Sequence, residues 1–189
     1  MVKLYVEGGG DAKSLQIECR KGFREFLEKA GLKGKMPAII ACGGRQNAYD
    51  SYCTAVENGE KAVLLVDSEA PIVPQHQQGS SDTWQPWQHL KQRPGDGWDR
   101  LAGSTDTDCH LMVQVMESWF LADRETLKAF FGQGFKENQL PATANSIEAV
   151  PKADVYTSLA NATRDCKTKA PYGKGAHSFK LLARIDPGE

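Results

Sequence analysis

The sequence lacks the features that mark several classes of protein. Its five cysteines are scattered and form no C-x-x-C pair, so neither a zinc ribbon nor a disulfide framework is supported. No apolar run approaches the roughly 20 residues that a bilayer span requires, so we expect no membrane segment. The first residues become charged too early for a signal peptide, and the expected location is cytoplasmic.

A large excess of basic residues is also missing. The formal net charge is −1, whereas a domain dedicated to coating DNA is usually basic. Basic residues are nevertheless concentrated in the last forty positions, at Lys152, Arg164, Lys167, Lys169, Lys174, Lys180 and Arg184. This concentration is equally compatible with phosphate contacts and with solvated helix faces.

Strand and helix patterns alternate over the first seventy residues. β-Prone segments at 3–6, 37–42 and 61–67 are separated by apolar residues at helical spacing over 12–30 and by a second helix over 47–58. The third strand is almost wholly apolar, which is typical of a parallel strand covered on both faces. The alternation predicts an α/β fold with a central parallel sheet flanked by helices.

The rest of the chain is predicted to complete one domain over residues 1–189. A long loop insertion, with one short helix, is expected at about 70–108, where Pro, Gln, Gly and Trp replace aliphatic residues. A fourth strand is expected over 110–116, followed by a helical part at about 120–189. The tryptophans of the insertion either pin the loop to the body or stack on bases; they are Trp84, Trp87 and Trp98.

Acidic residues gather where the predicted strands end. Glu7 and Asp11 flank three glycines after the first strand, and Asp67 and Glu69 follow the third strand. In open parallel sheets, ligands bind beyond the carboxyl ends of the strands. Carboxylates there would repel a phosphate unless a cation lay between them. The sequence therefore predicts a divalent-metal site, and clustered carboxylates suit Mg²⁺.

The glycine-rich segment invites two rival interpretations, and both fail on spacing. A phosphate-binding loop, G-x-x-x-x-G-K-[ST], needs a glycine directly before Lys13, where Ala12 stands. The dinucleotide motif G-x-G-x-x-G would need its third glycine at the position of Lys13 itself.

Farther along the chain, Arg45 follows the Gly43–Gly44 turn and is predicted to contact phosphate.

Several short motifs resemble a known family. They are Val6-Glu7-Gly8 with Asp11, Gly43-Gly44 with Asn47, Val66-Asp67-Ser68-Glu69, the run from Met116 to Asp123, and the run from Lys174 to Phe179. Together they resemble the Toprim domain of topoisomerases, primases and OLD-type nucleases. The likeness is greatest to a small stand-alone Toprim-like group related to RloB and to the AbiLii component of phage abortive-infection systems. The family's D-x-D motif ends here in Glu69.

The resemblance implies a Rossmannoid sheet of about four strands and a role for each motif. Glu7 would be the general base or a metal ligand, and Asp67 and Glu69 would hold Mg²⁺, with Mn²⁺ as a substitute. Asp11 and Glu117 would be further acids at the metal. Lys174 and His177, near the end of the chain, would supply positive charge or a proton to the transition state. Lys174 would also bind the substrate. From the residues alone, Glu117 is also explicable as a helix-dipole acid and His177 as a helix-start or surface histidine.

The function implied by the resemblance is Mg²⁺-dependent hydrolysis of phosphodiesters in DNA or RNA. Such a nuclease would be the toxic effector of an antiviral defence system, controlled by a separately encoded ATPase of the SMC/AAA type. One alternative is a non-catalytic assembly subunit that docks onto that ATPase. Another is a Mg²⁺-dependent phosphohydrolase acting on nucleotides. The choice between DNA, RNA and tRNA, the number of metal ions and the oligomeric state, with a homodimer as one option, stay open at this stage.

Overall fold

The computed structural model describes residues 1–76, 84–144 and 146–188. These residues divide into two compact units, one built from residues 1–17 and 37–113 and the other from residues 18–36 and 114–189. Residues 77–83, which belong to the predicted insertion, lie outside the described part. Among the described helices, none is both long enough and apolar enough to cross a membrane.

The first unit contains a sheet of four parallel strands. These are β1 (Lys3–Val6), β2 (Ala38–Ala41), β3 (Ala62–Asp67) and β4 (Cys109–Met112), in the spatial order β2-β1-β3-β4. Helices α1 (Lys13–Leu27), α2 (Arg45–Glu57) and α3 (Pro86–Gln92) connect or follow the strands. The predicted α/β fold with a four-strand parallel sheet flanked by helices is therefore confirmed.

The strand order decides where a ligand can enter. The chain leaves β1 toward β2 on one side and then returns to β3 on the other side of β1. This reversal creates a topological switch point between β1 and β3, with a crevice beyond their carboxyl ends. β3 can occupy the centre of the sheet because all but one of its residues are buried, as its apolar sequence predicts.

Helix and strand limits follow the sequence signals closely, with one exception. α1 runs into a short π-type turn, Glu28–Leu32, where Gly31 adopts φ +92°, as expected of a glycine that ends a helix. The predicted fourth strand over 110–116 is too long, because β4 ends at Met112 and Met116–Leu121 forms 3-10 turns. Val113, Val115 and Met116 are nevertheless buried. A buried irregular segment has the same apolar composition as a buried strand.

The second unit is helical. It contains the 3-10 segment Met116–Leu121, α4 (Arg124–Phe131), α5 (Lys152–Thr163) and α6 (Lys174–Leu182), together with the carboxyl-terminal part of α1. α1 and α6 approach closely at Gly22, where an added Cβ would lie 2.7 Å from the carbonyl oxygen of Phe179. The core consists of fully buried side chains that include Phe23, Phe120, Leu127, Phe131, Leu159, Leu181, Leu182 and Ile185.

The tryptophans of the predicted insertion are core residues of the first unit. Trp84, Trp87 and Trp98 are all buried. The indole N–H of Trp84 donates to the carbonyl oxygen of Cys109 at 3.1 Å, and that of Trp87 donates to the carbonyl oxygen of Thr105 at 3.0 Å. Of the two interpretations left open by the sequence, this burial supports the one in which tryptophans pin the loop to the body.

Candidate metal centre

Three carboxylates meet at the switch point of the sheet. Glu7 follows β1 directly, Asp67 ends β3, and Glu69 lies two residues farther along the chain. One carboxylate oxygen from each of the three lies within 4.8 Å of the others. The convergence predicted from the sequence is therefore present for these three residues, which we call the acidic triad.

The backbone around the triad is tightly folded. Gly8 and Gly43 form an antiparallel bridge, with N–H to oxygen distances of 2.9 and 2.8 Å, which ties the loop after β1 to the turn before α2. At Gly43 a side chain is excluded, because a Cβ would lie 2.8 Å from the carbonyl oxygen of Gly10. Glu69 has φ +64°, a left-handed conformation that is uncommon outside glycine and is often found at functional sites.

One direct hydrogen bond and a bridging arginine link Glu7 and Asp67. Glu7 Oε2 accepts from the main-chain N–H of Asp67 at 3.2 Å. The same oxygen accepts from Arg45 Nη1 at 3.2 Å, and Nη1 also donates to the main-chain oxygen of Asp67. Asp67 is almost fully buried, with 2% of the residue exposed. Glu7 is therefore held against the end of β3 by two donors.

A fourth acid, Asp96, lies outside the triad and contacts two arginines. Arg45 forms a two-point contact with Asp96, with Nε to Oδ1 at 2.9 Å and Nη2 to Oδ2 at 2.7 Å. Arg93 also contacts Asp96, at 2.8 Å, and its Nη2 lies 3.9 Å from Glu69 Oε2. Asp96 thus joins two guanidinium groups, one beside Glu7 and one beside Glu69.

The contacts between Arg45 and Asp96 shift the pKa of each group in the direction that keeps it charged. Burial alone would lower the pKa of the Arg45 guanidinium, but its hydrogen bonds to Asp96 and the charge of Glu7 outweigh burial and raise the pKa. Burial would likewise raise the pKa of Asp96, and the hydrogen bonds and charges of Arg45 and Arg93 lower it instead. The pair is therefore ionised under ordinary conditions.

Aromatic rings fix the position of Arg45. Its guanidinium carbon lies 4.8 Å from the centroid of the Trp98 ring, which stacks on Tyr49 at 4.5 Å. The indole N–H of Trp98 donates to Gln46 Oε1 at 3.1 Å. Arg45 is only 14% exposed, and four of its N–H groups have protein acceptors. The predicted phosphate contact of Arg45 stays a prediction.

A buried histidine supports the segment between Asp67 and Glu69. His89 Nε2 lies 2.9 Å from the main-chain oxygen of Ser68, an acceptor that requires the proton on Nε2. Burial lowers the pKa of His89 below its usual value, and the positive charges of the nearby arginines lower it further. The hydrogen bond to Ser68 acts in the opposite direction but is outweighed. The ring is therefore a neutral support for the turn that carries Glu69.

Arg93, Asp96 and His89 were not identified from the sequence. They lie in the predicted insertion, where no periodic pattern indicates which polar side chains turn inward. The only available signal was the spacing of Arg93 and Asp96, three residues apart around a Pro-Gly turn. Such pairs are common on exposed loops, so this signal would not have distinguished them.

Asp11 and Glu117, the other two predicted metal ligands, are not members of the triad. Asp11 is exposed, beyond the glycine loop that follows Glu7. Glu117 belongs to the second unit and is fully buried. Its Oε2 accepts from the Tyr156 hydroxyl at 3.1 Å and its Oε1 from the Tyr172 hydroxyl at 3.0 Å.

The polar network around Glu117 includes Lys174, which the resemblance assigns a catalytic role. Lys174 Nζ lies 4.0 Å from Glu117 Oε2 and donates to the Tyr156 hydroxyl at 3.1 Å. The Ser178 hydroxyl is 3.1 Å from Glu117 Oε1. Burial, followed by the charge of Glu117, raises the pKa of Tyr172 well above its usual value. Tyr172 therefore acts as a neutral donor to the buried side chain of Glu117.

His177 lies on the same helix as Lys174 but has a different environment. Its Nδ1 accepts from the main-chain N–H of Gly173 at 3.0 Å, as a histidine does at a helix start. Burial and the nearby charge of Lys180 lower the pKa of His177, so the ring is neutral with its proton on Nε2. The structure thus contains the helix-start contact that the sequence allowed, and the catalytic assignment of His177 stays a prediction.

The acidic triad is chemically suited to a hard divalent cation. Oxygen ligands from two or three carboxylates, completed by water and substrate, are the usual environment of Mg²⁺ in proteins. Three carboxylates within 4.8 Å also repel one another, and a cation bound between them relieves that repulsion. The residues present therefore fit a divalent metal ion.

Comparison with known proteins gives one match. No curated protein and no solved structure is significantly similar to the chain. A family model described as a domain of unknown function, DUF4276, matches residues 6–189. This range contains the acidic triad, the two arginines and the buried Glu117 network. Because the match covers nearly the entire chain, the protein belongs to the DUF4276 family.

Proposed function

We propose that the protein is a Mg²⁺-dependent nuclease of the Toprim type that hydrolyses phosphodiester bonds in DNA or RNA. The observation that carries this proposal is the convergence of Glu7, Asp67 and Glu69 at the switch point between β1 and β3. The parallel sheet is consistent with a Toprim-like fold, and the meeting of these three acids at the carboxyl ends of its strands supports the proposal.

The chemistry would combine a metal ion with the residues that surround it. A bound divalent cation polarises phosphoryl oxygens and lowers the pKa of a coordinated water. Asp67 and Glu69 would hold the cation, with Mn²⁺ able to replace Mg²⁺. Glu7 would receive a proton from the attacking water through Oε1, since Oε2 is occupied by Arg45 and the Asp67 N–H. Lys174 and His177 are further candidates for transition-state charge and leaving-group protonation.

The biological role that we propose is that of a toxic effector in antiviral defence, related to abortive infection. Its activity would be controlled by a separately encoded ATPase of the SMC/AAA type. The near-neutral net charge supports a need for a partner, because the chain has little electrostatic affinity of its own for nucleic acid.

Cleavage assays test the catalytic proposal directly. Purified protein would be incubated with DNA and with tRNA in Mg²⁺ or Mn²⁺, with and without the candidate ATPase. Glu7→Gln and Asp67→Asn should each lower the cleavage rate at least about 100-fold, since each removes a charge at the reacting phosphate. Asp50→Asn, which neutralises an exposed acid on α2, is the matched control and should retain activity. Equal rates for all three variants would contradict the proposal.

A second function is favoured by one observation. Two triad residues already have arginine neighbours, Glu7 with Arg45 at 3.2 Å and Glu69 with Arg93 at 3.9 Å. Such pairing stabilises clustered acids even without a cation, as a non-catalytic assembly subunit would require. This alternative predicts that Asp67→Asn leaves association with the ATPase and phage protection unchanged. The nuclease proposal predicts that protection is lost while association persists.

A further inference from the structure

The charges of the first unit are unevenly distributed around the triad. The triad and Asp96 supply four carboxylates, and two guanidinium groups, those of Arg45 and Arg93, form ion pairs with Glu7, Glu69 and Asp96. Four negative charges against two positive charges leave a formal charge of −2. One divalent cation neutralises this cluster, whereas two would leave it with an excess of two positive charges.

From this arrangement we infer that the site takes one divalent cation and that Arg45 replaces the second ion of a two-metal site. The inference rests on the proposed function, because it concerns the same metal centre. In two-metal sites the ions lie about 3.5–4 Å apart and act together on the attacking and leaving oxygens. A guanidinium group held at the acids supplies a fixed positive charge in one of those two places.

The contacts of Arg45 place it where a second cation would have to bind. Its Nη1 lies 3.2 Å from Glu7 Oε2 and also donates to the main-chain oxygen of Asp67. These two oxygens come from the residues at the ends of β1 and β3, the strands that flank the crevice. A second cation at this position would need the same oxygens and would be repelled by the guanidinium charge.

Displacing Arg45 would be costly. Its Nε and Nη2 are bound to both oxygens of Asp96, and its flat face is covered by Trp98. The side chain of Asp96 is only 2% exposed, so moving Arg45 away would leave a buried carboxylate with one partner in place of two. Removing a partner from a buried ion pair is strongly destabilising. Asp96 is therefore a positioning residue that keeps Arg45 at the triad.

Direct counting of bound Mn²⁺ tests this inference without relying on activity. The full chain would be titrated with Mn²⁺, and free ion would be measured by electron paramagnetic resonance, with isothermal titration calorimetry as a second measurement. Wild-type protein should bind one Mn²⁺ per chain at this site, and Asp67→Asn should lose that ion. Asp50→Asn is the control for a general loss of acidic charge and should bind as the wild type does.

Neutralising the guanidinium provides the complementary measurement. Arg45→Gln makes room beside Glu7 and changes the cluster charge from −2 to −3, so we expect a second Mn²⁺ to bind. If Arg45→Gln does not fold, as judged by circular dichroism, Arg45→Met replaces it, because methionine is also uncharged and leaves the cluster at −3. Arg45→Lys keeps the positive charge and is the matched control, so it should still bind one ion.

The possible outcomes separate this inference from the proposed function. Two wild-type ions that are both lost in Asp67→Asn would overturn the single-ion inference and leave the metal-dependent nuclease intact. No Mn²⁺ bound by the wild type, or binding unaffected by Asp67→Asn, would overturn both. A folded Arg45→Gln or Arg45→Met variant that still binds only one ion would contradict the role of Arg45 as a replacement for the second cation.

Discussion

Glu7 Oε2 accepts a hydrogen bond from the main-chain N–H of Asp67 at 3.2 Å, which joins the first residue after β1 to the last residue of β3. Sixty residues separate the two in sequence. The bond uses one oxygen of Glu7 and orients its carboxylate toward the crevice at the switch point. A metal ion bound there would contact both strand ends and would stabilise their association in the folded state.

Metal binding should therefore raise the melting temperature of the protein. A cation that binds only the folded state adds about 2.7 kcal/mol of stability when its free concentration is 100 times Kd. Differential scanning fluorimetry with increasing Mn²⁺ should show this increase for the wild type and for Asp50→Asn. The increase should be absent in Asp67→Asn, and an equal increase in that variant would show that the ion binds elsewhere.

Asp96 should contribute more to stability than its neighbour Asp99. Asp96→Ala removes a buried partner from both Arg45 and Arg93, and we expect a loss of about 3 kcal/mol in the free energy of unfolding. Asp99 forms an ion pair with Lys91, but both side chains are more than half exposed, so Asp99→Ala should cost less than about 1 kcal/mol. Urea denaturation of both variants measures the difference, and similar losses would contradict the structural role of Asp96.

The contribution of Asp96 should also depend on pH. Its pKa in the folded protein is lowered from the ordinary value of 3.8, so the unfolded chain takes up a proton first as the solution is acidified. The stability advantage of the wild type over Asp96→Asn should be complete at neutral pH. It should then decrease as pH falls below about 3.8 and through the lower folded pKa. An advantage that grows on acidification would contradict the lowered pKa.

Trp84 provides a test of the packing role of the insertion. Trp84→Ala removes a buried indole and should cost about 3–5 kcal/mol of unfolding free energy. Trp84→Phe retains an aromatic ring but loses the hydrogen bond to the carbonyl oxygen of Cys109, so its cost should be smaller. Chemical denaturation distinguishes the two variants. A negligible effect of Trp84→Ala, combined with weaker binding of single-stranded nucleic acid, would favour base stacking instead.

Glu117 should act through the tyrosines that surround it. Glu117→Gln keeps an acceptor for a hydroxyl donor but removes the negative charge that helps to raise the pKa of Tyr172. Glu117→Gln should therefore cost less unfolding free energy than a variant without any acceptor, and urea denaturation measures the difference. Glu117→Ala removes the acceptor and should destabilise the protein by about 3 kcal/mol. Weaker Mn²⁺ binding by a folded Glu117→Gln variant would support the predicted role of Glu117 as a metal ligand.

The fold was largely predictable because it depends on local patterns. The apolar run of β3, the helical spacing in α1 and the glycines that end helices each indicate a structure within a few residues. The predicted length of β4 exceeds the observed length, and the difference has a physical reason. Residues 113–116 are buried without belonging to a strand, and composition does not distinguish these two kinds of burial.

The metal centre was predictable only in part. Glu7, Asp67 and Glu69 were identified because parallel strands bring their carboxyl ends together, so residues that follow two neighbouring strands meet at one edge. The same argument included Asp11, which lies only four residues beyond Glu7 but is exposed and does not belong to the triad. The direction in which a loop side chain points depends on backbone conformation, which the spacing of acids does not specify.

The sequence by itself determined the parallel α/β architecture and the three acids at its switch point, because strand and helix periodicity act over a few residues at a time. Only the tertiary structure decided that Asp96 joins Arg45 and Arg93 beside those acids, and that the loop tryptophans belong to the core. Ion pairs and packing between distant segments depend on the path of an irregular loop. That path depends on which buried polar groups can form hydrogen bonds or ion pairs with one another. Such pairing involves residues from the whole unit, so the sequence of one segment does not determine it.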